Sequence, residues 1–343
     1  MALNEAFHQL MAEDPSVFLI GQGVKSPWYV GNTTRGLLER FGPRRVIDTP
    51  VSENAVNGAA VGAALAGMRP VVVHPRIDFM LYGLDPIINE AANWHYMFGG
   101  KSPVPVVVWA IINRGGEQAA QHSQALQSLF AHIPGLKVVM PSNPYDAKGL
   151  MVSAVLDDNP VIYLDERWLY GLEAEVPESI YEVPLGKGAI RRPGSQVTIV
   201  ATSFMVREAL KAAETLEEEG IDAEVIDLRT LKPLDTELLF ASVQKTGRVV
   251  IADGSWKTCG IAGEITALVA ENLLSCLKAP PERVTLPDVP APASRSLERA
   301  YFPTAENITR AVEKMFKAES REVKARSPKG KDQRKKLKAQ SKK

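Results

Sequence analysis

The chain has 343 residues, 45% of them apolar, with 40 Lys or Arg balanced by 40 Asp or Glu, a size that suits about two globular domains and a sizeable core. If the charges are evenly spread, the formal net charge of zero argues against a nucleic-acid or membrane partner. No apolar run approaches the roughly 18 residues of a membrane span, and the longest, Pro103 to Ile112, is interrupted by Pro105.

The start, Met1-Ala-Leu-Asn-Glu-Ala, lacks the basic and apolar blocks of a secretory signal and the arginines of a transit peptide, so a cytoplasmic location is expected. Short β-branched runs then alternate with helical patterns, which predicts an α/β fold with a parallel sheet. Strands are expected near 17–21, 46–48, 70–74, 105–112, 137–140 and 160–164, with helices near 34–41, 53–67, 84–97, 123–131 and 144–156. These form a first domain, residues 1–175. Pro, Gly and charged residues over 176–195 read as a linker. A smaller α/β domain, 196–318, follows, with strands near 196–201, 223–228, 248–252 and 283–285 and helices near 206–218, 235–244, 262–274 and 305–316. Cys259 and Cys276 have no zinc or disulfide spacing and are expected to be buried apolar residues.

The neutral balance hides a division. Residues 317–343 hold 12 basic and 3 acidic side chains and almost nothing large and apolar, leaving a body of net charge −9 and a tail of +9. A tail of this composition, 319–343, is expected to be disordered and available to an acidic partner.

Chemistry-bearing motifs are few. Gly21-Gln22-Gly23 after a strand lacks the third glycine of a dinucleotide fingerprint. The small residues Gly58, Gly62 and Ala66, four apart on a predicted helix, suit a close helix contact of the kind small faces allow, within the chain or between subunits. Glu53 leaves a strand through Asp48-Thr-Pro-Val-Ser and opens a helix. It reads either as a first-turn carboxylate with Ser52 as cap or as a ligand-facing group at the carboxyl end of a strand. His122, in Gln118-Ala-Ala-Gln-His122-Ser-Gln, is a candidate proton shuttle, although a lone His near a helix start is more often a cap or a hydrogen-bonded core group. His74 and His95 look structural, and His8 and His132 sit in helical contexts.

Several segments, in order, closely resemble one family: Asp48-Thr-Pro-Val-Ser-Glu53, Ala60-Val-Gly-Ala-Ala-Leu-Ala-Gly-Met-Arg-Pro70, Ile88-Asn-Glu-Ala-Ala, Ala120-Gln-His-Ser-Gln124, Pro134-Gly-Leu-Lys-Val-Val-Met-Pro-Ser142 and Asp146-Ala-Lys-Gly-Leu150. The family is the β subunit of the thiamine-diphosphate-dependent first component of 2-oxoacid dehydrogenase complexes. The resemblance, which runs to about residue 316, implies a transketolase-like pyrimidine-binding domain followed by a transketolase C-terminal-type domain. It also implies a separate α subunit, in an α2β2 assembly, that supplies the diphosphate and Mg2+ site. The GDG and Asn-Asn motif of that site is absent here, Ala252-Asp-Gly254 being only superficially alike. By position, Glu53 matches the glutamate that hydrogen-bonds the pyrimidine ring of thiamine diphosphate, Phe79 the aromatic against that ring, and His122 the histidine at the channel mouth. Ala154, Asp157 and Asn159 fall on a loop that holds structural potassium (K+) in some relatives, mostly through main-chain oxygens.

The family activity implied is decarboxylation of a 2-oxoacid with acyl transfer to a lipoyl-bearing acyltransferase core. Two departures stand out. Gln22 replaces an acid assigned to a proton path between paired sites, and Arg76 in Val73-His-Pro-Arg76 adds a cation beside the cofactor. With Trp28, these motivate an alternative, a transketolase-like or acyloin-forming enzyme with a non-lipoyl acceptor. A third reading is a non-catalytic binding subunit that uses the basic tail.

Overall fold

The computed structural model describes residues 1–26 and 29–326, with the backbone alone for 318–326; Trp28 and the tail residues 327–343 lie outside the described residues. A helix at Ala2–Glu13, which carries His8, buries Leu3, Phe7, Leu10 and Met11, the spacing of one helical face. Then follow β1 (Val17–Gly21), a short helix Leu37–Phe41, β2 (Val46–Asp48), the helix Glu53–Leu65 and β3 (Arg69–His74). The predicted helix over 84–97 is a π-helical turn, Pro86–Ala91, running into an α-helix, Ala92–Met97. A short helix, Ile77–Met80, and a 3-10 turn, Leu81–Gly83, precede it. Next come β4 (Val107–Ile112), the helix Gln127–His132, β5 (Lys137–Val139), the helix Pro144–Leu156 and β6 (Val161–Glu166). The last of these helices starts where its N-cap Asn143 accepts from the amide of Asp146, with Pro144 in the first turn, a combination that satisfies free amide donors and fixes the backbone angle.

The expected linker is partly structured. Its residues Ala189–Arg192 form β7, which pairs antiparallel with β9 (Ala223–Asp227). In the chain β8 (Val197–Ala201) comes between these two, and after them come β10 (Thr230–Lys232), β11 (Val249–Trp256) and β12 (Glu282–Leu286). The second domain therefore has a five-stranded sheet, β12-β11-β8-β9-β7, rather than four strands. Its last helix runs from Ala305 to Arg326, so the boundary drawn at 318 falls inside a helix and the first residues of the expected disordered tail are helical. Cys259 and Cys276 are both exposed, because one lies in the loop after β11 and the other in a 3-10 turn at a helix end; the expectation of buried cysteines is overturned.

The first domain's sheet has the order β10-β5-β6-β4-β3-β1-β2 and is parallel except at its edge. That edge strand, β10, comes from the second half of the chain and pairs with β5 through Thr230 to Val139 and Lys232 to Val138. The site follows from the other end. β1 lies between β2 and β3, so the chain leaves β1 to one side for β2 and crosses to the other for β3. Open α/β sheets bind ligands in the crevice at such a reversal, outside the carboxyl ends of the strands.

Candidate active site

At the reversal, β1 and β3 approach closely: a Cβ on Gly21, at the end of β1, would stand 2.3 Å from the Val73 carbonyl oxygen. That contact, rather than a dinucleotide, explains the glycine. Gln22 follows and its Nε2 donates to Glu53 Oε1 at 2.9 Å. Glu53 is the first residue of its helix and only 5% exposed, while Ser52 makes no capping side-chain bond. The capping explanation of this pair therefore loses its cap. Glu53 Oε2 has no hydrogen-bond partner among the described residues.

One turn along the same helix, Asn57 donates from Nδ2 to the Gly83 carbonyl at 3.0 Å. This fixes its amide orientation, so the 2.9 Å contact between Asn57 Oδ1 and His74 Nε2 is made by a donating imidazole N–H. Burial lowers the His74 pKa from 6.5 to about 4, against the opposing pull of Glu53; His74 is neutral at ordinary pH. It is structural in its bonding, as expected, yet it stands within the electrostatic reach of Glu53. Gly83 permits the packing, since a Cβ there would meet Asn57 Nδ2 at 2.2 Å and the Glu53 carbonyl at 2.8 Å. The segment carrying Phe79 is thereby pressed against the N-terminus of the Glu53 helix.

Phe79 is half-buried, and its ring meets His122 edge-on, centroids 5.2 Å apart at 86°. Beside them Asp78 accepts from the Gln124 amide at 3.1 Å. Burial raises the Asp78 pKa, partly offset by the Gln124 bonds and by His122. The fold thus brings Glu53 together with Gln22, Asn57 and His74, and Phe79 together with His122 and Asp78, at one mouth of the sheet.

Known proteins fit this arrangement. Residues 1–171 match the transketolase pyrimidine-binding domain and residues 186–308 the transketolase C-terminal domain. The β subunit of acetoin:2,6-dichlorophenolindophenol oxidoreductase from Cupriavidus necator is 48% identical over 327 residues, 92% of this chain and 96% of that protein. The pyruvate dehydrogenase E1 component β subunit of Rickettsia felis is 44% identical over 314 residues, again 92% and 96%. This chain belongs to their family of dehydrogenase β subunits. A split-gene transketolase, described as an inactive β4 tetramer, superposes with a TM-score of 0.73 at 25% identity, covering 92% of this chain and 96% of that one.

Set within the family, Gln22 is a neutral amide bonded to Glu53 where an acid was expected, and an amide cannot release a proton to its neighbour. Asp253, of the sequence that superficially resembles GDG, is buried and accepts from Ser255 Oγ at 2.6 Å and from Gln127 Nε2 at 2.8 Å. No three His, Cys, Asp or Glu converge as a metal set among the described residues. The 154–159 loop also has internal partners. Arg69 donates to the carbonyls of Val155 at 2.9 Å and Asp157 at 3.1 Å. The Asp157 carboxylate pairs with Lys137 and accepts from the Asn159 amide at 2.9 Å, while Ala154 is buried.

Asn57 and Asp78 were missed from sequence. For Asn57 a signal existed, since it stands four residues after Glu53 and so on the same helical face. No helix among the described residues is long and apolar enough to cross a membrane.

Proposed function

We propose that this chain is the β half of an α2β2 thiamine-diphosphate enzyme that decarboxylates a 2-oxoacid and passes the acyl group to a lipoyl carrier. The observation that carries the reading is Glu53: a buried carboxylate at the sheet reversal with one oxygen held by Gln22 and the other without a partner among the described residues. That free oxygen suits a ring nitrogen of the aminopyrimidine, and Phe79, half-buried beside His122, supplies a face for the ring. When bound, the cofactor supplies the electron sink for decarboxylation.

The chain's own part is orientation and proton control. Glu53 holds or yields a proton at its Oε2, and Gln22 fixes the rotamer in which it does so. His74 keeps Asn57 and the Gly83 segment in place as a neutral donor. His122, at the outer edge of the pair, is the proton carrier for the incoming acceptor.

The site is open on one side. Val51 is 75% and Tyr82 76% exposed, so large apolar side chains flank Glu53 and Phe79 in the isolated chain. Such patches mark contact surfaces, and an α subunit that brings the diphosphate and Mg2+ site fits here. Potassium at the 154–159 loop would rest on the second lone pairs of its carbonyl oxygens, at the negative end of the Pro144–Leu156 helix. The cytoplasm remains the proposed compartment.

The test is hydrogen exchange at the thiazolium carbon in the copurified α and β complex. We expect Glu53→Gln to slow it at least a hundredfold, a typical loss for a positioned acid–base group being about 10²–10⁴; exchange at the wild-type rate would end the assignment. A second reading, a non-lipoyl acceptor in a transketolase-like or acyloin-forming reaction, is favoured by Arg76, whose guanidinium is half-buried beside the site with no ion pair among the described residues. The third reading, a non-catalytic subunit acting through its tail, predicts that Glu53→Gln is silent while deletion of 319–343 abolishes function.

A further inference from the structure

The loop that carries His122 is held in a conformation its residues do not favour. From the end of β4 it runs Asn113-Arg114-Gly115-Gly116-Glu117-Gln118-Ala119-Ala120-Gln121-His122. Gly115, Gly116, Glu117 and Ala119 have φ of 74°, 75°, 62° and 60°. Glycine enters that left-handed region freely, but a Cβ makes it costly. Glu117 and Ala119 therefore stay there only because their surroundings hold them.

Much of that hold comes from the second domain. Its helix Arg295–Tyr301 buries Glu298 and Tyr301, which stand three apart on one face. Tyr301 fixes the helix in place: its hydroxyl donates to the Val289 carbonyl at 2.9 Å and accepts from Trp256 Nε1 at 3.0 Å. Glu298, 7% exposed, accepts from the Glu117 amide through Oε1 at 2.7 Å. Arg295 also pairs with the Glu117 carboxylate at 3.0 Å, but both side chains are exposed and such a pair adds little. Upstream, Arg114 donates to the Pro303 carbonyl, and its guanidinium lies 4.8 Å from the ring centre of Phe204 and 5.1 Å from that of Phe302.

At its other end the loop is gripped by the first domain. The Ala119 carbonyl accepts from the His122 amide at 3.4 Å, and the Gln124 amide donates to Asp78 Oδ1 at 3.1 Å. His122 thus stands between two carboxylate tethers, one from each domain. Its own ring meets Phe79 edge-on and makes no hydrogen bond among the described residues, so the backbone of the loop decides where the imidazole stands. We infer that Glu298 is a positioning residue for His122: by holding the Glu117 amide it keeps the loop in its left-handed course and so sets the place of the imidazole at the site. The inference rests on the proposed role of His122 as proton carrier for the acceptor. Length at position 298 then matters more than charge, since Gln still reaches the amide, whereas Asp falls short by one methylene, roughly 1.5 Å.

The experiment uses the copurified α and β complex with thiamine diphosphate, pyruvate as donor and lipoamide as acceptor, and reads thiazolium exchange and acyl transfer separately. Exchange reports on Glu53 and acyl transfer on His122. We expect Glu298→Ala to leave exchange within about twofold of wild type and to slow acyl transfer about tenfold or more, a misplacement of about 1 Å being able to cost about 10² in rate. Glu298→Asp should lose part of the same step, and Glu298→Gln should keep most of it. In a His122→Ala background Glu298→Ala should add nothing further, because the two residues act as one unit. Acyl transfer at the wild-type rate in Glu298→Ala overturns the inference. So do losses that add in the double variant, and so does an equal loss of exchange, which would make Glu298 a support of the whole site. If Glu298→Ala does not fold, the other two variants decide, and equal acyl-transfer rates in Asp and Gln overturn the inference. Failure of the reading beneath it would appear separately, as a full acyl-transfer rate in His122→Ala or unchanged thiazolium exchange in Glu53→Gln.

Discussion

Two buried polar clusters divide the labour of this molecule. Between the domains, Asp146 and Asp227, both fully buried, meet Arg191 and Arg229: Arg191 bonds both carboxylates, Arg229 Nη1 donates to Asp146 at 3.1 Å, and Ser142 Oγ donates to Asp227 at 2.5 Å. Charges there balance and the carboxylate oxygens are spent. At the sheet reversal, Glu53 Oε2 has no partner among the described residues, and the buried Nε of Arg76, just after β3, has none either. A saturated network holds a structure, and one with unused valences waits for something to bind.

Breaking the saturated cluster should have the larger effect on stability. Asp227→Ala leaves Arg191 and the Ser142 hydroxyl without their shared acceptor, and we expect a loss of about 3 kcal/mol, seen as a lower denaturation midpoint. Glu53→Gln should move that midpoint little while slowing exchange a hundredfold; a comparable loss of stability in both would erase the distinction between the clusters.

A smaller effect should come from pH. His74 has a folded pKa of about 4 against 6.5 for the free group. The unfolded chain therefore takes up a proton first as pH falls, and this contribution to stability is complete above about pH 6.5 and is lost down towards pH 4. Denaturation at pH 7.5, 5.5 and 4.5 should show the wild type losing on the order of 1–3 kcal/mol more than His74→Gln, whose amide can still donate to Asn57. Parallel curves would mean that His74 does not titrate in this way. The smallest effect belongs to the 154–159 loop: we expect a rise of a few degrees in melting temperature in potassium over choline chloride, absent if Arg69 and Lys137 already meet its needs.

Much of the scaffold was legible from period alone. The strands at 17–21 and 46–48 and the helix at 144–156 fall where the sequence puts them, because each is a local pattern closed by its own turn or cap. β7 and β10 were not legible. Each has only four or three residues and exists through a partner far away in the chain, which periodicity does not record. In the site, Glu53 and His122 could be singled out as residues at strand ends, and Phe79 only through the family resemblance. The contact of Gln22 with Glu53 depends on β1 lying between β2 and β3, a fact of strand order that neither residue carries in its own neighbourhood.

The borrowed edge strand has a consequence for how the molecule is made. While the ribosome is still adding the second half of the chain, the first domain can assemble its sheet only as far as β5, whose outer backbone donors and acceptors stay bare until Thr230–Lys232 has emerged. An open edge of that kind invites pairing with another nascent chain. Truncation in the segment before β8 would make that temporary exposure permanent, so the first domain released alone should aggregate even though most of its core residues are present.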